Sequence, residues 1–215
     1  MLKKNFAYLF LASLTLISLT GFTVWNYIEK SNRDLPYFVN GKPENSLSDA
    51  QKDNIIPVPS FSFINQNFKP ISQQFIKDKI WVADFFFTRC TTICPKMSNH
   101  LEKVQKEFAS RSDFKLISFT CDPERDTPEK LSNYAAEYHA DTSQWQFATG
   151  TKQSLYHFAR KGLNVVATDG DGGPNDFIHS QNLVLVDKQG YVRGYYDGTK
   201  EEAVQQLIKD IRKLQ

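Results

Sequence analysis

The chain is poor in cysteine and balanced in charge, and both features exclude classes of protein. Three cysteines in 215 residues are too few for a disulfide framework, and a folded region of about 160 residues buries enough apolar surface without one. Lysine and arginine number 26 against 24 acidic residues, so the net charge is +2. Because the charges are mixed and form no basic stripe, no nucleic-acid partner is expected. The sequence also lacks repeats and low-complexity tracts, which favours a single folded domain.

One uncharged run, at residues 6–28, is long enough to cross a bilayer as a helix. Lys3 and Lys4 precede it, so the positive-inside rule predicts a cytoplasmic N-terminus at residues 1–5 and a transmembrane anchor at 6–28. A cleaved signal peptide is the alternative, but a small-x-small cleavage site is missing, and Phe22 stands where a lipidated cysteine would be required. We therefore predict a single-pass protein of the inner membrane that faces the periplasm, where disulfides persist.

Residues 29–54 differ from the sequence on either side. They are polar, contain Pro36, Gly41 and Pro43, and show no sustained period of two or 3.6 residues. Such a composition is typical of a tether. The folded domain is therefore predicted at residues 55–215.

Strand and helix patterns alternate within residues 55–215. Apolar runs predict strands at 61–64, 80–87, 114–120, 145–148, 182–186 and 191–195, of which the last two form a hairpin. Apolar stripes at helical spacing predict helices around Met97–Phe108, Leu131–Tyr138, Lys152–Gly162 and Val204–Leu214. This order predicts an α/β fold with a mixed sheet and helices on both faces. It is the layout of thioredoxin-like domains, and the fold name rests on that analogy.

Cys90 and Cys94 lie where the buried strand 80–87 meets the start of a helix. The N–H groups at a helix N-terminus favour a thiolate, which is both a nucleophile and a metal ligand. Because residues i and i+4 share a helix face, both sulfurs can point at one bound ion. The pair is predicted to be redox-active or metal-binding, and two inert core thiols or a buried bridge are the structural alternative.

A metal held by two thiolates needs a third ligand from elsewhere in the chain. His100, His139 and His157 lie on or at the ends of predicted helices, where solvated or capping roles account for them. His179 differs because it follows the Gly/Asp-rich segment 168–176 and precedes a core strand. Two thiolates and one imidazole suit copper, particularly trigonal Cu(I). From the residues alone, a ligand role and a structural role for His179 remain equal alternatives.

Three blocks occur in order along the chain: Cys90–Met97, Cys121–Glu129, and Phe177–Ser180 ahead of 183–190. Together they resemble the Sco/SenC family, the copper-binding proteins of cytochrome oxidase assembly. The resemblance covers most of residues 55–215. It implies a membrane-tethered, thioredoxin-like domain that binds copper, as Cu(I), Cu(II) or both, through Cys90, Cys94 and His179. It also implies a partner, cytochrome c oxidase subunit II or another copper acceptor, and allows a copper donor chaperone or a thiol reductase as a second partner.

The middle block has three features to interpret. Asp126–Glu129 matches a capping box with Pro128 in the first turn, so helix initiation accounts for these residues. Asp122 follows the strand 114–120 directly. The resemblance implies that it lies near the copper ligands. There its carboxylate would orient a ligand or change the charge of the surface that a partner protein contacts. Cys121 stands where the family usually has an aliphatic residue. We interpret it as a small buried side chain, with disulfide exchange or a third sulfur ligand as the alternative.

The leading hypothesis is a copper chaperone that carries one copper and gives it to a docked partner by ligand exchange. The alternative is a thiol–disulfide oxidoreductase, in which Cys90 and Cys94 form a redox pair and reduce the acceptor's cysteines. A thiol peroxidase is a third hypothesis, although Thr88 and Arg89 beside Cys90 do not establish such a site. A copper or redox sensor is the fourth. We assign the protein primarily as a metallochaperone, and we expect an enzymatic activity only under the alternative hypotheses.

Overall fold

The computed structural model describes residues 18, 20–25, 35–44, 51, 55–165 and 180–214. The chain divides into two compact units, Met1–Leu35 and Pro36–Gln215. In the first unit, residues 20–25 are helical and exposed. Among the described residues, no helix has both the length and the apolar character that a membrane crossing requires. Most of the predicted anchor at 6–28, and His179 itself, lie outside the described residues.

Nine strands form two sheets in the described part of the second unit. They are β1 (Tyr37–Val39), β2 (Lys42–Glu44), β3 (Ser62–Asn65), β4 (Pro70–Ser72), β5 (Ile80–Phe86), β6 (Phe114–Thr120), β7 (Trp145–Thr149), β8 (Asn182–Val186) and β9 (Val192–Asp197). β1 and β2 form a hairpin, and the other seven strands form one sheet in the order β4-β3-β7-β6-β5-β8-β9. β5, β6 and β7 are parallel neighbours, and the flanking pairs are antiparallel. The sheet is mixed, as predicted.

Five α-helices accompany this sheet in the described residues from Pro36 onward. They are α1 (Gln73–Ile76), α2 (Ile93–Glu107), α3 (Pro128–Glu137), α4 (Lys152–His157) and α5 (Glu201–Lys213). A single π-helical turn, Phe158–Gly162, extends α4. The four helices and six strands expected from the sequence all have counterparts. The short elements β4 and α1, together with the hairpin of β1 and β2, were not predicted.

Helices cover both faces of the sheet, and β5 is buried along its whole length between them. On one face, the ring of Phe119 in β6 lies 5.2 Å from that of Phe158 in the π-helical turn. On the other face, the ring of Phe86 in β5 lies 4.9 Å from that of Tyr134 in α3. A strand buried on both faces is typical of the centre of an α/β domain.

The parallel pairing of β5 and β6 decides which loops meet. Phe86 is opposite Thr120 at the carboxyl ends of the two strands. The loop 87–92, which leads into α2, therefore lies beside the loop 121–127, which leads into α3. β8 runs antiparallel to β5, so its first residues reach the same edge of the sheet. This edge brings together the cysteine block, the acidic block and the start of β8.

The hairpin of β1 and β2 lies within the stretch predicted as a tether, yet its contacts join it to the folded unit. The Nε atom of Arg193 in β9 donates a hydrogen bond to the Pro36 carbonyl at 3.1 Å. The same guanidinium lies 4.0 Å from the centre of the Tyr37 ring and forms an ion pair with Asp187 at 2.8 Å. These interactions fix the start of the second unit on β9.

Candidate thiol site

Cys90 and Cys94 are close neighbours at the start of α2. The Cys94 amide donates a hydrogen bond to the Cys90 Sγ atom at 3.4 Å. The Thr92 hydroxyl lies 3.7 Å from the same sulfur. Both cysteines are buried and both thiols are free. The structure therefore brings together two of the three predicted ligands at the N-terminus of a helix, where backbone N–H groups favour negative charge.

The two thiols differ in how readily they ionise. Burial opposes ionisation of Cys90, but hydrogen bonds from the amide and thiol of Cys94 and from Thr92 lower its pKa to about 7. Burial, a hydrogen bond given to the Cys90 sulfur and the charge of Asp84 raise the pKa of Cys94 far above its usual value. Cys90 is therefore the thiol that supplies a thiolate at neutral pH, and Cys94 stabilises that thiolate.

The third cysteine, Cys121, has a structural place at the end of β6. Its thiol donates to the Phe86 carbonyl at 3.1 Å, and its amide donates to the same oxygen at 2.8 Å. The Tyr156 hydroxyl donates to the Cys121 carbonyl at 2.8 Å. Burial and the charge of Asp126 raise the pKa of the thiol. These contacts support the interpretation of Cys121 as a buried side chain.

The structure corrects the interpretation of Asp126 as part of a capping box. The N-cap of α3 is Thr127, and its side chain makes no capping hydrogen bond. Asp126 is instead completely buried. Its carboxylate accepts hydrogen bonds from the Thr88 amide at 3.1 Å and hydroxyl at 2.5 Å, and from the Thr120 hydroxyl at 2.5 Å. The acidic block is therefore joined to the loop that carries Cys90.

Asp84, in the middle of β5, is a residue that the sequence interpretation missed. Its side chain is buried, and one oxygen accepts a hydrogen bond from the Ser118 hydroxyl at 2.5 Å. The other oxygen has no hydrogen-bond partner in the described structure. Burial raises the pKa of Asp84 to about 7, against the smaller opposing effect of Ser118. The available signal was a single acid inside an otherwise apolar strand.

Asp122 lies at the same edge of the sheet as the cysteines. Its carboxylate is 3.3 Å from the Arg125 guanidinium, and its amide donates to the Thr120 hydroxyl at 2.9 Å. No hydrogen bond between Asp122 and Cys90 or Cys94 is found among the described residues. Its predicted role beside the copper ligands remains a prediction.

The three histidines in the described residues have contacts of their own. His100 contacts the Gly198 carbonyl at 2.8 Å and Glu201 at 3.2 Å. His139 is exposed and contacts Glu102 at 3.1 Å, and His157 lines a separate cavity of about 470 Å³. Within residues 35–44, 55–165 and 180–214, no group of three or more His, Cys, Asp or Glu side chains is placed to hold a metal ion.

Comparison with known proteins identifies the family. The family model described as SCO1/SenC matches residues 49–215. The chain belongs to the SCO1/SenC family. The SCO1 protein homolog of Bacillus subtilis is 36% identical over 157 residues, which cover 72% of this chain and 81% of that protein. The resemblance drawn from the three sequence blocks is therefore confirmed.

Two solved structures extend this comparison. BsSco, described as a member of the Sco family of cytochrome c oxidase assembly proteins with a disulfide switch, is 35% identical, with a TM-score of 0.62 over 74% of this chain and 92% of that chain. ScoI of Bradyrhizobium japonicum, solved with copper bound, is 21% identical, with a TM-score of 0.59 over 74% of this chain and 100% of that chain. Both share the α/β fold, so the predicted fold class of the SCO1/SenC domain is confirmed.

Proposed function

We propose that this SCO1/SenC protein carries one copper ion, held by Cys90, Cys94 and His179, and supplies it to the dinuclear copper centre of cytochrome c oxidase. The observation that carries the proposal is the thiol pair at the start of α2, where the Cys94 amide lies 3.4 Å from the Cys90 sulfur. Two thiolates with low coordination number favour copper over hard divalent ions. ScoI was solved with copper bound, and this supports copper as the ion that the present protein carries.

The start of β8 supports His179 as the third ligand. β5 and β8 pair antiparallel, with Ala83 opposite Val184. If this register continued to the end of β5, Ser180 would be level with Phe87. Ser180 is buried. The start of β8 at this edge of the sheet supports a ligand from the sequence just before it.

The difference between the two thiols indicates an order of binding. Cys90, with a pKa of about 7, offers a thiolate to the incoming ion first. Cys94 keeps its proton until the ion replaces it, so loading releases a proton from Cys94. A three-coordinate ion leaves room for a thiolate of the acceptor to add before a donor ligand departs. Copper then passes between proteins without being released.

The remaining parts of the proposal concern location and partner. We propose that residues 6–28 anchor the protein in the inner membrane and that the rest of the chain faces the periplasm, with polar sequence upstream of Pro36 as the tether. The acceptor is the copper site of cytochrome c oxidase subunit II. Asp122 contributes to the charge of the surface that this acceptor contacts. The name of BsSco as an oxidase assembly protein supports this partner.

The ligand set is tested by anaerobic copper titration of the reduced protein. His179→Ala is expected to weaken copper binding at least about tenfold, because loss of one ligand leaves a two-coordinate dithiolate. The thiolate-to-Cu(II) absorption is expected to shift as well. His157→Ala, which changes an exposed histidine on α4, is the control and should bind as the wild type does. Unchanged affinity and absorption in His179→Ala would remove His179 from the ligand set.

A second function, thiol–disulfide exchange, is favoured by the low pKa of Cys90 beside the raised pKa of Cys94. In this reaction the Cys90 thiolate attacks an acceptor disulfide and forms a mixed disulfide. Cys94 then attacks the Cys90 sulfur, which releases the acceptor as a dithiol and leaves Cys90 and Cys94 oxidised.

This second function predicts different traps for the two cysteines. Cys94→Ser is expected to accumulate a mixed disulfide with an acceptor peptide that contains a disulfide, because the resolving thiol is missing. Cys90→Ser is expected to accumulate none, since the two remaining thiols, Cys94 and Cys121, are buried and protonated. Non-reducing electrophoresis and mass spectrometry measure the adduct. If copper-free wild-type protein leaves the acceptor disulfide intact, the exchange function is contradicted.

A further inference from the structure

The carboxylate of Asp126 connects two parts of the structure that are distant in sequence. Thr88 lies 38 positions earlier in the chain and donates both its amide and its hydroxyl to this carboxylate. Thr120, at the end of β6, donates its hydroxyl to the same group. Asp126 is completely buried, and the hydrogen bond from the Thr120 hydroxyl is buried with it. Hydrogen bonds inside a protein are electrostatically stronger than hydrogen bonds in water.

One of these connections ends next to the reactive thiol. Thr88 is two residues before Cys90, and the Cys90 amide donates to the Phe87 carbonyl at 3.1 Å. Because both the backbone and the side chain of Thr88 are held, the turn 87–90 has little freedom to rotate. The position of the Cys90 sulfur relative to the Cys94 amide therefore depends on a residue that touches neither cysteine through any hydrogen bond in the described structure.

We propose that Asp126 is a positioning residue for the thiol site: acting through Thr88, it holds the Cys90 sulfur against the Cys94 amide. The inference deepens the proposed function, since it rests on Cys90 as the thiol that first meets copper or an acceptor. Without the connection to Thr88, the turn would sample other orientations, and the sulfur would lose part of its hydrogen bonding. The reactivity of Cys90 would fall, because hydrogen bonds to its sulfur favour the nucleophilic form.

The chain offers a matched pair of substitutions that separates this role from stability. Thr88→Val and Thr120→Val each remove one hydroxyl that donates to Asp126 at 2.5 Å and keep the shape of the side chain. Only Thr88 lies in the turn before Cys90, whereas Thr120 belongs to β6. Thr88→Ser restores the hydroxyl and is the rescue variant. A general loss of stability would affect both valine variants, but a positioning role affects only the first.

The test measures how fast iodoacetamide alkylates Cys90 in full-length, reduced, copper-free protein, with the modified residue identified by peptide mass spectrometry. At about pH 7, Thr88→Val is expected to react roughly threefold to tenfold more slowly than the wild type, because its Cys90 sulfur is held against the Cys94 amide for less of the time. Thr120→Val should stay within about twofold of the wild-type rate, and Thr88→Ser should react like the wild type.

The proposal is overturned if Thr88→Val reacts at the wild-type rate, or if both valine variants are slowed equally. Should Thr88→Val fail to fold, Thr88→Ala removes the same hydroxyl without the branched methyl group. The reaction contains no copper, so its outcome is independent of the ligand set tested with His179→Ala.

Discussion

Asp84→Asn is expected to change the pH dependence of stability by roughly 4 kcal/mol between about pH 4 and pH 8. Burial raises the pKa of Asp84 from its ordinary value of 3.8 to about 7 in the folded protein. The folded state therefore binds this proton more tightly than the unfolded state, and stability falls as the pH rises through this window. At 1.36 kcal/mol per pH unit, the difference amounts to roughly 4 kcal/mol. Asparagine cannot ionise, so the variant lacks this fall.

The measurement is the free energy of unfolding from urea denaturation of reduced, copper-free protein at several pH values. The free energy of unfolding of Asp84→Asn, relative to that of the wild type, should increase as the pH rises. Asp113→Asn is the control, because hydrogen bonds from Arg111 and Lys188 hold the pKa of that carboxyl well below its usual range. It should leave the slope between about pH 5 and pH 8 unchanged. Parallel curves for wild type and Asp84→Asn would show that Asp84 is ionised throughout.

Asp126→Ala is expected to lower the free energy of unfolding by about 3 to 5 kcal/mol, because three hydrogen-bond donors lose their shared acceptor. The substitution leaves the Thr88 amide and the hydroxyls of Thr88 and Thr120 without their acceptor. A buried donor such as the Thr120 hydroxyl costs about 1 to 3 kcal/mol when it loses its partner, and the partly buried donors of Thr88 add smaller amounts.

Asp122→Ala is the matched control in the same loop. The Asp122 carboxylate pairs with the largely exposed guanidinium of Arg125 at 3.3 Å, and such surface pairs contribute about 1 kcal/mol or less. Denaturation of the two alanine variants under identical conditions gives the comparison. Equal losses in both would mean that the carboxylate of Asp126 contributes no more than a surface charge, which would also weaken its assignment as a positioning residue.

The sequence predicts the regular part of this fold well because its signals are local. The strands 114–120 and 182–186 are found with the predicted bounds, since each is an apolar run that ends at polar or turn residues. The helix around Met97–Phe108 buries the stripe expected from its period. The position of Cys90 and Cys94 between strand and helix follows from the same patterns.

The parts that escape prediction depend on contacts between distant residues. Asp126 matches a local capping pattern, but its partner Thr88 is 38 positions away, and only the parallel pairing of β5 with β6 brings them together. The sequence pattern assigned Asp84 to an apolar strand, because one acidic residue changes the pattern of such a run very little. The hairpin of β1 and β2 has strands of three residues each, which is too short for a period to show.

The attachment of the hairpin to β9 has a practical consequence for anyone who prepares a shortened form of this protein. A recombinant version that begins at residue 55, the predicted domain boundary, would remove the Pro36 carbonyl and the Tyr37 ring from the guanidinium of Arg193. The ring of Tyr195 would lose Phe38, whose ring lies 4.9 Å away. The cut therefore belongs before residue 35, so that the purified material keeps the outer edge of its sheet covered.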